Sequence, residues 1–328
     1  MQGFGYVRVD DCEGAFAAVR DADARFIAGG TELVNLMKER IDAPGTVVDI
    51  NALPLAEIEV GAVGLRLGAL VRMSDVAAHA GVRRAYPAIA QALEASASPQ
   101  LRNMASMGGN LLQRTRCPYF RADTALPCNK RRPGSGCAAL DGDGRGQAIF
   151  GASERCIATQ PSDLAVALAA LDATVHIRSA DAERTIALVD LHRLPGEEPH
   201  RDTVLEPGEL IIAIEVPASG LAGRSRYLKL RERASYEFAL VSVAVGLELD
   251  RHGGIRAARV ALGGVAAKPW RLYGAEERLA GAELEADSLR AAIEPDFAGA
   301  RPRADNAFKV ELAKRAVVRT LLEAGSQA

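Results

Sequence analysis

Between an apolar run and the start of a helical pattern the chain reads Arg25-Phe26-Ile27-Ala28-Gly29-Gly30-Thr31-Glu32-Leu33, and this join restricts the available folds more than any other stretch. Strand, Gly-Gly turn and helix in that order make an α/β unit, in which strand ends and helix starts gather at one edge of a sheet. Two glycines let the backbone turn tightly and approach a ligand with no Cβ in the way. The first amides of the following helix have no partner inside it, and together with the helix dipole they favour an anion such as a pyrophosphate. Thr31 serves as N-cap or offers its hydroxyl to a phosphate, while Leu33, Leu36 and Met37 supply the inward face. A turn that binds nothing looks the same, and the segment is not the G-x-G-x-x-G fingerprint, so other stretches have to decide.

The flanking text keeps the same alternation. Residues 6–9, 26–27 and 47–50 read as strands and 12–20 and 31–40 as helices. Residues 58–71 read as a hairpin, 74–80 as a helix capped by Ser74, and 87–95 as another helix. A second glycine pair follows in Ser106-Met107-Gly108-Gly109-Asn110-Leu111-Leu112. Hydroxyl, amide and bare backbone stand together there, which suits a phosphate or the edge of a heterocycle as well as it suits a plain turn. Pro161-Ser162-Asp163 opens a helix over 164–171, with Asp163 as a candidate cap. Strands then read at 175–177, 185–188 and 210–216, and Pro217 ends the last; 218–224 reads as a linker. Beyond it, strands at 227–230, 239–249 and 255–265 precede helices at 275–280, 286–293 and 306–323, the order of a separate α+β domain.

Residues 113–159 show neither period and are rich in Gly, Pro, Arg and Asp. A structureless stretch of that length inside a compact domain is usually functional or wrongly assigned. Cys117, Cys128, Cys137 and Cys156 all fall in it, whereas Cys12 stands alone. Disulfides, structural zinc and an iron–sulfur cluster compete for the four thiols, and with no short C-x₂₋₄-C pair the spacing leaves all three open. Arg114, Arg116, Arg121, Lys130, Arg131 and Arg132 suit a cluster with net negative charge, or simply a solvated basic loop. A net charge of -2 gives no basic excess for a nucleic-acid backbone. No window has the apolar length of a membrane span and the N-terminus lacks the pattern of a secretory signal, so the chain alone reads as cytoplasmic.

With these motifs in view, and with Pro207-Gly208-Glu209-Leu210-Ile211 and Leu262-Gly263-Gly264-Val265, the chain resembles the FAD-binding medium subunits of the molybdenum hydroxylases over essentially its whole length. This is the xanthine oxidase and CO dehydrogenase group. The resemblance implies an α/β (α+β) architecture. A vanillyl-alcohol-oxidase/PCMH-type FAD-binding domain would span residues 1–219, in subdomains of about 1–55 and 56–219 with an iron–sulfur loop at 113–159. A smaller C-terminal α/β domain of the CO dehydrogenase flavoprotein type would span 225–328. Cysteine segments of this kind occur in flavin subunits of 4-hydroxybenzoyl-CoA reductases and of periplasmic aldehyde oxidoreductases. The text around the four cysteines, with Arg231-Glu232-Arg233-Ala234-Ser235-Tyr236 and Lys268-Pro269-Trp270-Arg271, is more similar to the latter.

Carried over by position, the resemblance implies that Phe26, Ile27, Ala28, Gly29, Gly30, Thr31, Glu32 and Leu33 surround the FAD pyrophosphate, with Ser106, Gly109 and Asn110 completing the cradle and Thr115 also on the cofactor. Asp163 would meet the flavin nucleotide, Ile211 the adenine and Lys229 the isoalloxazine, and Tyr236 would pack beside the ring and limit access of oxidant. Cys117, Cys128, Cys137 and Cys156 would hold a [4Fe–4S] cluster acting as a reservoir or a pin. The implied role is electron transfer within a molybdenum-dependent aldehyde oxidoreductase, with the molybdenum cofactor on a large subunit and [2Fe–2S] clusters on a small one. FAD here would pass electrons to an external acceptor, and a signal-bearing partner would carry the folded chain to the periplasm. The alternatives are another molybdenum hydroxylase resembling 4-hydroxybenzoyl-CoA reductase, a free-standing flavin oxidoreductase using NADH, and a zinc-stabilised assembly subunit without catalysis.

Overall fold

A computed structural model describes residues 1–20 and 23–326, so the expected domain end at residue 328 lies outside the described residues. Three sheets organise the chain. In the first, Thr46–Asp49 lies between Gly5–Arg8 and Ala24–Ile27, all parallel. Parallel neighbours require crossovers, and the helices Cys12–Ala18 and Leu33–Lys38 supply them. Asp11 caps the former by accepting from Gly14 N at 2.6 Å. The latter is shorter than the periodicity predicts. Glu32 precedes it with helical dihedrals and no side-chain cap bond, so Thr31 is not the cap residue; Arg40, at φ 56, turns the chain away beyond its end.

The second sheet is antiparallel, in the order Ile58–Gly61, Gly64–Gly68, Leu210–Pro217, Thr174–Arg178, Glu183–Ala187. Ile212 and Leu210 of its central strand join Phe16, Val48 and Ile50 in one apolar cluster, which seals the two sheets together. The helix expected at 74–80 is Met73–Ala78; Arg72 supplies the extended residue before it, and Ser74 sits inside its first turn instead of capping it. Asp163–Ala170 is buried along its whole length. It packs against Pro87–Ala95 on one side and the strands Val241–Leu249 and Ile255–Gly263 on the other, which explains why it is apolar all round.

Those two strands belong to the third sheet, antiparallel in the order Trp270–Arg271, Ile255–Gly263, Val241–Leu249, Ser225–Leu230. Val241–Leu249 reads as a continuous apolar run because both faces are covered, by Asp163–Ala170 and by the last helix, Phe308–Gly325. The last helix starts two residues later than its pattern predicts, since Asn306 is occupied elsewhere. Its Nδ2 donates to Gly144 O at 3.2 Å and Gln147 O at 3.3 Å. Lys309, fully buried, donates from Nζ to Gln147 O and Gly264 O, each at 2.9 Å, and burial pulls its pKa down to about 7. The C-terminal helix thereby pins the end of the cysteine segment. No helix among the described residues is long and apolar enough to cross a membrane.

Candidate functional site

A cleft of about 350 Å³ opens where the three sheets converge. Thr31, Glu32 and Asn35 line it from the first sheet's loops, Met73, Ser96, Gly109, Asn110 and Asp163 from the second unit, and Lys229, Arg233, Tyr236 and Phe238 from the third. A volume of this size, with apolar walls and a few convergent polar groups, is that of a ligand site.

Asp163 forms its floor. The helix it begins is capped by Ser162, whose Oγ accepts from Ala165 N at 3.0 Å, so the aspartate is not the cap and its carboxylate is available to the cleft. That carboxylate accepts from Lys229 Nζ at 2.8 Å, from Ser96 Oγ at 2.9 Å and from the Tyr227 hydroxyl. Asp163 and Lys229 are 5% and 3% exposed in their side chains, a buried ion pair whose charges are tolerable only because each has further hydrogen bonds. Lys229 also donates to Ala95 O at 3.1 Å. Burial, and then the neighbouring carboxylate, push the Tyr227 hydroxyl well above its ordinary pKa and keep it a donor.

The two glycine pairs serve packing first. A Cβ on Gly29 would lie 1.8 Å from Met104 O, so this glycine lets the first loop close against the segment leading to Ser106. Gly30 turns the chain at φ +69. Ser106 is buried and caps the helix Met107–Leu111, accepting from Gly109 N at 3.3 Å. Asn110 is fixed through its Oδ1, which accepts from Ser162 Oγ at 2.6 Å. The helix after the first pair has six residues, and the second pair lies inside the five-residue helix Met107–Leu111, so both dipoles are small and the two segments offer mainly amides and side chains. Gly29→Ala is therefore expected to cost about 1–3 kcal/mol in denaturant titration, because backbone has to move. Gly109→Ala meets only the Ser106 hydroxyl, at 2.8 Å, and should cost less than half as much. Equal costs would show that Gly29 is not the joint.

Of the residues singled out in the sequence, Thr31, Glu32, Gly109, Asn110, Asp163, Lys229 and Tyr236 line the cleft. Phe26 and Ala28 pack toward the first core, and Ile27, Gly29, Gly30 and Leu33 stand behind the wall. Ile211 does not line the cleft; it is 1% exposed in the core of the five-stranded sheet. Thr115 belongs to the cysteine segment, its Oγ1 accepting from Cys117 N at 3.2 Å. Tyr236 is no core residue: it is 58% exposed at the mouth of the cleft, with φ +53.

A second feature lies beside the cleft. Cys117, Cys128, Cys137 and Cys156 line one small recess, together with Tyr119, Phe120 and Lys130, and all are free thiols. Residues 128 and 137 pair as an isolated antiparallel bridge. Gln147 Nε2 donates to Cys117 Sγ and Ala158 N to Cys156 Sγ, both at 3.4 Å. Burial pushes the Cys156 thiol up to about 11, Lys130 pulling the other way, and burial also raises Cys117. Among the described residues no three His, Cys, Asp or Glu side chains are grouped to hold a single metal ion.

Of the six cations singled out in this segment, Arg132 is exposed, whereas Arg114, Arg116, Arg121, Lys130 and Arg131 are held by partners. Arg114 and Lys130 pair with Asp202 at 2.6 and 2.5 Å; burial disfavours that carboxylate's charge, but the two cations outweigh it and hold its pKa below the usual range. Arg116 and Arg121 pair with Glu32 at 2.6 and 2.5 Å. Asp202 and Glu39 were not legible as partners, since no local pattern ties them to residues so distant in the chain.

Residues 2–219 match the family described as FAD binding domain in molybdopterin dehydrogenase, and residues 226–324 match the CO dehydrogenase flavoprotein C-terminal domain. The chain is 52% identical to the aldehyde oxidoreductase FAD-binding subunit PaoB of Escherichia coli (strain K12), over 100% of both chains. It is 28% identical to the glyceraldehyde dehydrogenase medium chain of Sulfolobus acidocaldarius, over 88% of this chain and 84% of that one. In three dimensions it is similar to a chain of quinoline 2-oxidoreductase from Pseudomonas putida 86, with a TM-score of 0.76 at 25% identity over 99% of this chain and 97% of that one. A chain of CO dehydrogenase from Oligotropha carboxidovorans has the same fold, with a TM-score of 0.75 at 22% identity over 100% and 99% of the two chains.

Proposed function

Because this chain belongs to the FAD-binding subunits of the molybdenum hydroxylases, the xanthine oxidase family, we propose that it is the flavin-carrying electron-transfer subunit of an aldehyde oxidoreductase. The observation that carries the reading is the full-length identity of 52% with a subunit of that activity, joined to a cleft whose floor is a buried Asp163–Lys229 pair. The residues present fit FAD. Arg116 lines the cleft with its Nε buried and without a protein partner, an N–H waiting for an acceptor, and its guanidinium lies 5.1 Å from the Phe238 ring centroid. The amides of Thr31 and Glu32, the Thr31 hydroxyl and the Asn110 side chain would take the diphosphate side of the nucleotide, with Gly109 leaving room for it. Lys229 would present its ammonium to the ring system, held in place by Asp163 and Ala95 O. Tyr236 and Phe238 would cover the mouth and restrict the approach of an oxidant.

Bound FAD would supply the means to collect single electrons and release them in pairs. The chain's own part is to orient it, exclude water and set the charge around it. Four free thiols about one recess, with N–H donors aimed at two of the sulfurs, support a [4Fe–4S] cluster on Cys117, Cys128, Cys137 and Cys156. Thiolates of a four-iron cube each bind a different iron, so they stand farther apart than the ligands of one ion. The relatives are named as subunits or medium chains, which supports assembly with a large molybdenum-cofactor subunit and a small [2Fe–2S] subunit. Export of that assembly to the periplasm by a signal-bearing partner belongs to the same reading. The complex, purified anaerobically, should show flavin bands over a broad iron–sulfur absorption, with about four additional irons and one FAD assigned to this chain. Aldehyde should bleach the flavin bands. A colourless chain overturns the reading, and bleaching by a purine but not by an aldehyde overturns the choice of substrate class.

A further inference from the structure

Glu32 stands between the cleft and the cysteine recess and is bonded into both. Its Oε1 accepts from Arg114 N at 3.0 Å and from Arg121 Nη2 at 2.5 Å, and its Oε2 lies 2.6 Å from Arg116 Nη2. All three partners surround Cys117 in sequence, while Glu32 itself closes the Gly29-Gly30 loop and lines the cleft. Arg121 also reaches Glu39 at 2.8 Å, so one guanidinium clamps the helix Leu33–Lys38 at its two ends. An apolar contact runs parallel to the ionic one. Leu36 of that helix shares a small buried cluster with Phe120 and Cys128, and Arg121 lies over the Phe120 ring at 5.4 Å.

The helix has six residues and no side-chain cap, too little to hold itself in place. Its support is the cysteine segment, whose buried Ile149 and Phe150 belong to the core of the third sheet while Phe120 and Cys128 meet the helix, and whatever joins the four thiols would brace it beside that contact. We propose that Glu32 is a positioning residue through which filling of the cysteine site sets the wall of the flavin cleft, so that retention of FAD depends on the iron–sulfur cluster. Coupling of this kind is reciprocal: bound FAD must equally protect the cluster. The inference rests on the flavin and cluster reading given above.

The experiment uses the full chain in its native complex, deflavinated and then titrated with FAD by quenching of flavin fluorescence, with iron retained or stripped anaerobically by a chelator. In the unaltered protein, stripping iron should weaken FAD binding about tenfold or more, within the range usual for site coupling. In Glu32→Gln, with circular dichroism and iron content confirming a folded, loaded chain, stripping should change FAD affinity less than about twofold, as double-mutant logic requires when the shared contact is gone. Arg121→Met breaks the same contact from the other end and should behave alike if Glu32→Gln fails to accumulate. The rate of iron loss to chelator should fall on adding FAD to the unaltered protein but not to either variant. An equal effect of stripping in variant and unaltered protein, or none in the unaltered protein, overturns the coupling while leaving the FAD reading intact. An unaltered protein that binds no FAD even with iron in place overturns the functional reading itself, and the coupling with it.

Discussion

Asp163→Ala is expected to empty the cleft of flavin and to cost the fold about 3–5 kcal/mol, the usual price of removing one member of a buried ion pair. The magnitude follows from what remains. The Lys229 ammonium, 3% exposed, keeps only Ala95 O as a partner, and the hydroxyls of Ser96 and Tyr227 lose the acceptor they share. A charge left in a dry site is far more expensive than a missing contact between neutral groups. Asp163→Asn keeps the shape and one acceptor and should cost less than the alanine variant. The double variant Asp163→Ala with Lys229→Met should recover part of the stability, since no bare cation remains, while FAD stays lost because both polar groups of the floor are gone. Urea titration read against flavin content checks both halves. A change in stability below about 1 kcal/mol for Asp163→Ala would mean that water reaches the pair and that the floor is not dry.

How far the sequence reached is best judged at particular residues. The first glycine pair marks a tight turn for a reason its local text does not hold: Gly29 is required by the close approach of Met104 O, and no local pattern distinguishes such a joint from an approach to a ligand; the second pair falls inside the helix Met107–Leu111. The strands expected at 47–50, 210–216 and 239–249 were legible because apolar periodicity reports burial directly, and their edges shifted by a residue or two as strand ends do. Ser162 displaced Asp163 as the cap because both are good caps and only tertiary structure decides which is claimed elsewhere. Ile211 fell into the core since its neighbours in an antiparallel strand covered on both faces leave no side for a ligand. The partners of the basic segment, Glu32, Glu39 and Asp202, were invisible because ion pairing across more than 80 residues leaves no trace in spacing. The four cysteines were readable as a group, and they converge on one recess.

Replacing any one of Cys117, Cys128, Cys137 or Cys156 by Ser is expected to bring this chain's iron close to zero, while Cys12→Ala leaves it unchanged. The four share a recess in which burial raises the thiol of Cys156 to about 11 and also raises that of Cys117, favouring the protonated form of these two when nothing binds them. On the proposed reading metal binding would reverse that balance, because the four cysteines would hold iron as thiolates and free energy of binding would become free energy of folding. Residues 113–159 carry no disulfide; Asn306 and Lys309 hold them at one end and Glu32 and Asp202 at the other, Phe120, Ile149 and Phe150 are buried, and on the proposed reading the thiols would add a cross-link between. A serine at any of the four positions would remove one of the sulfurs proposed to hold the cluster. Cys12 sits in the first helix, against Phe16 and Val48, in a core that the recess does not touch. Iron analysis and the visible spectrum of each variant, measured on anaerobic complex, decide the matter. Two or more of the four serine variants with unaltered iron would remove the cluster from this chain, and Cys12→Ala losing iron would show that the wrong thiols have been grouped.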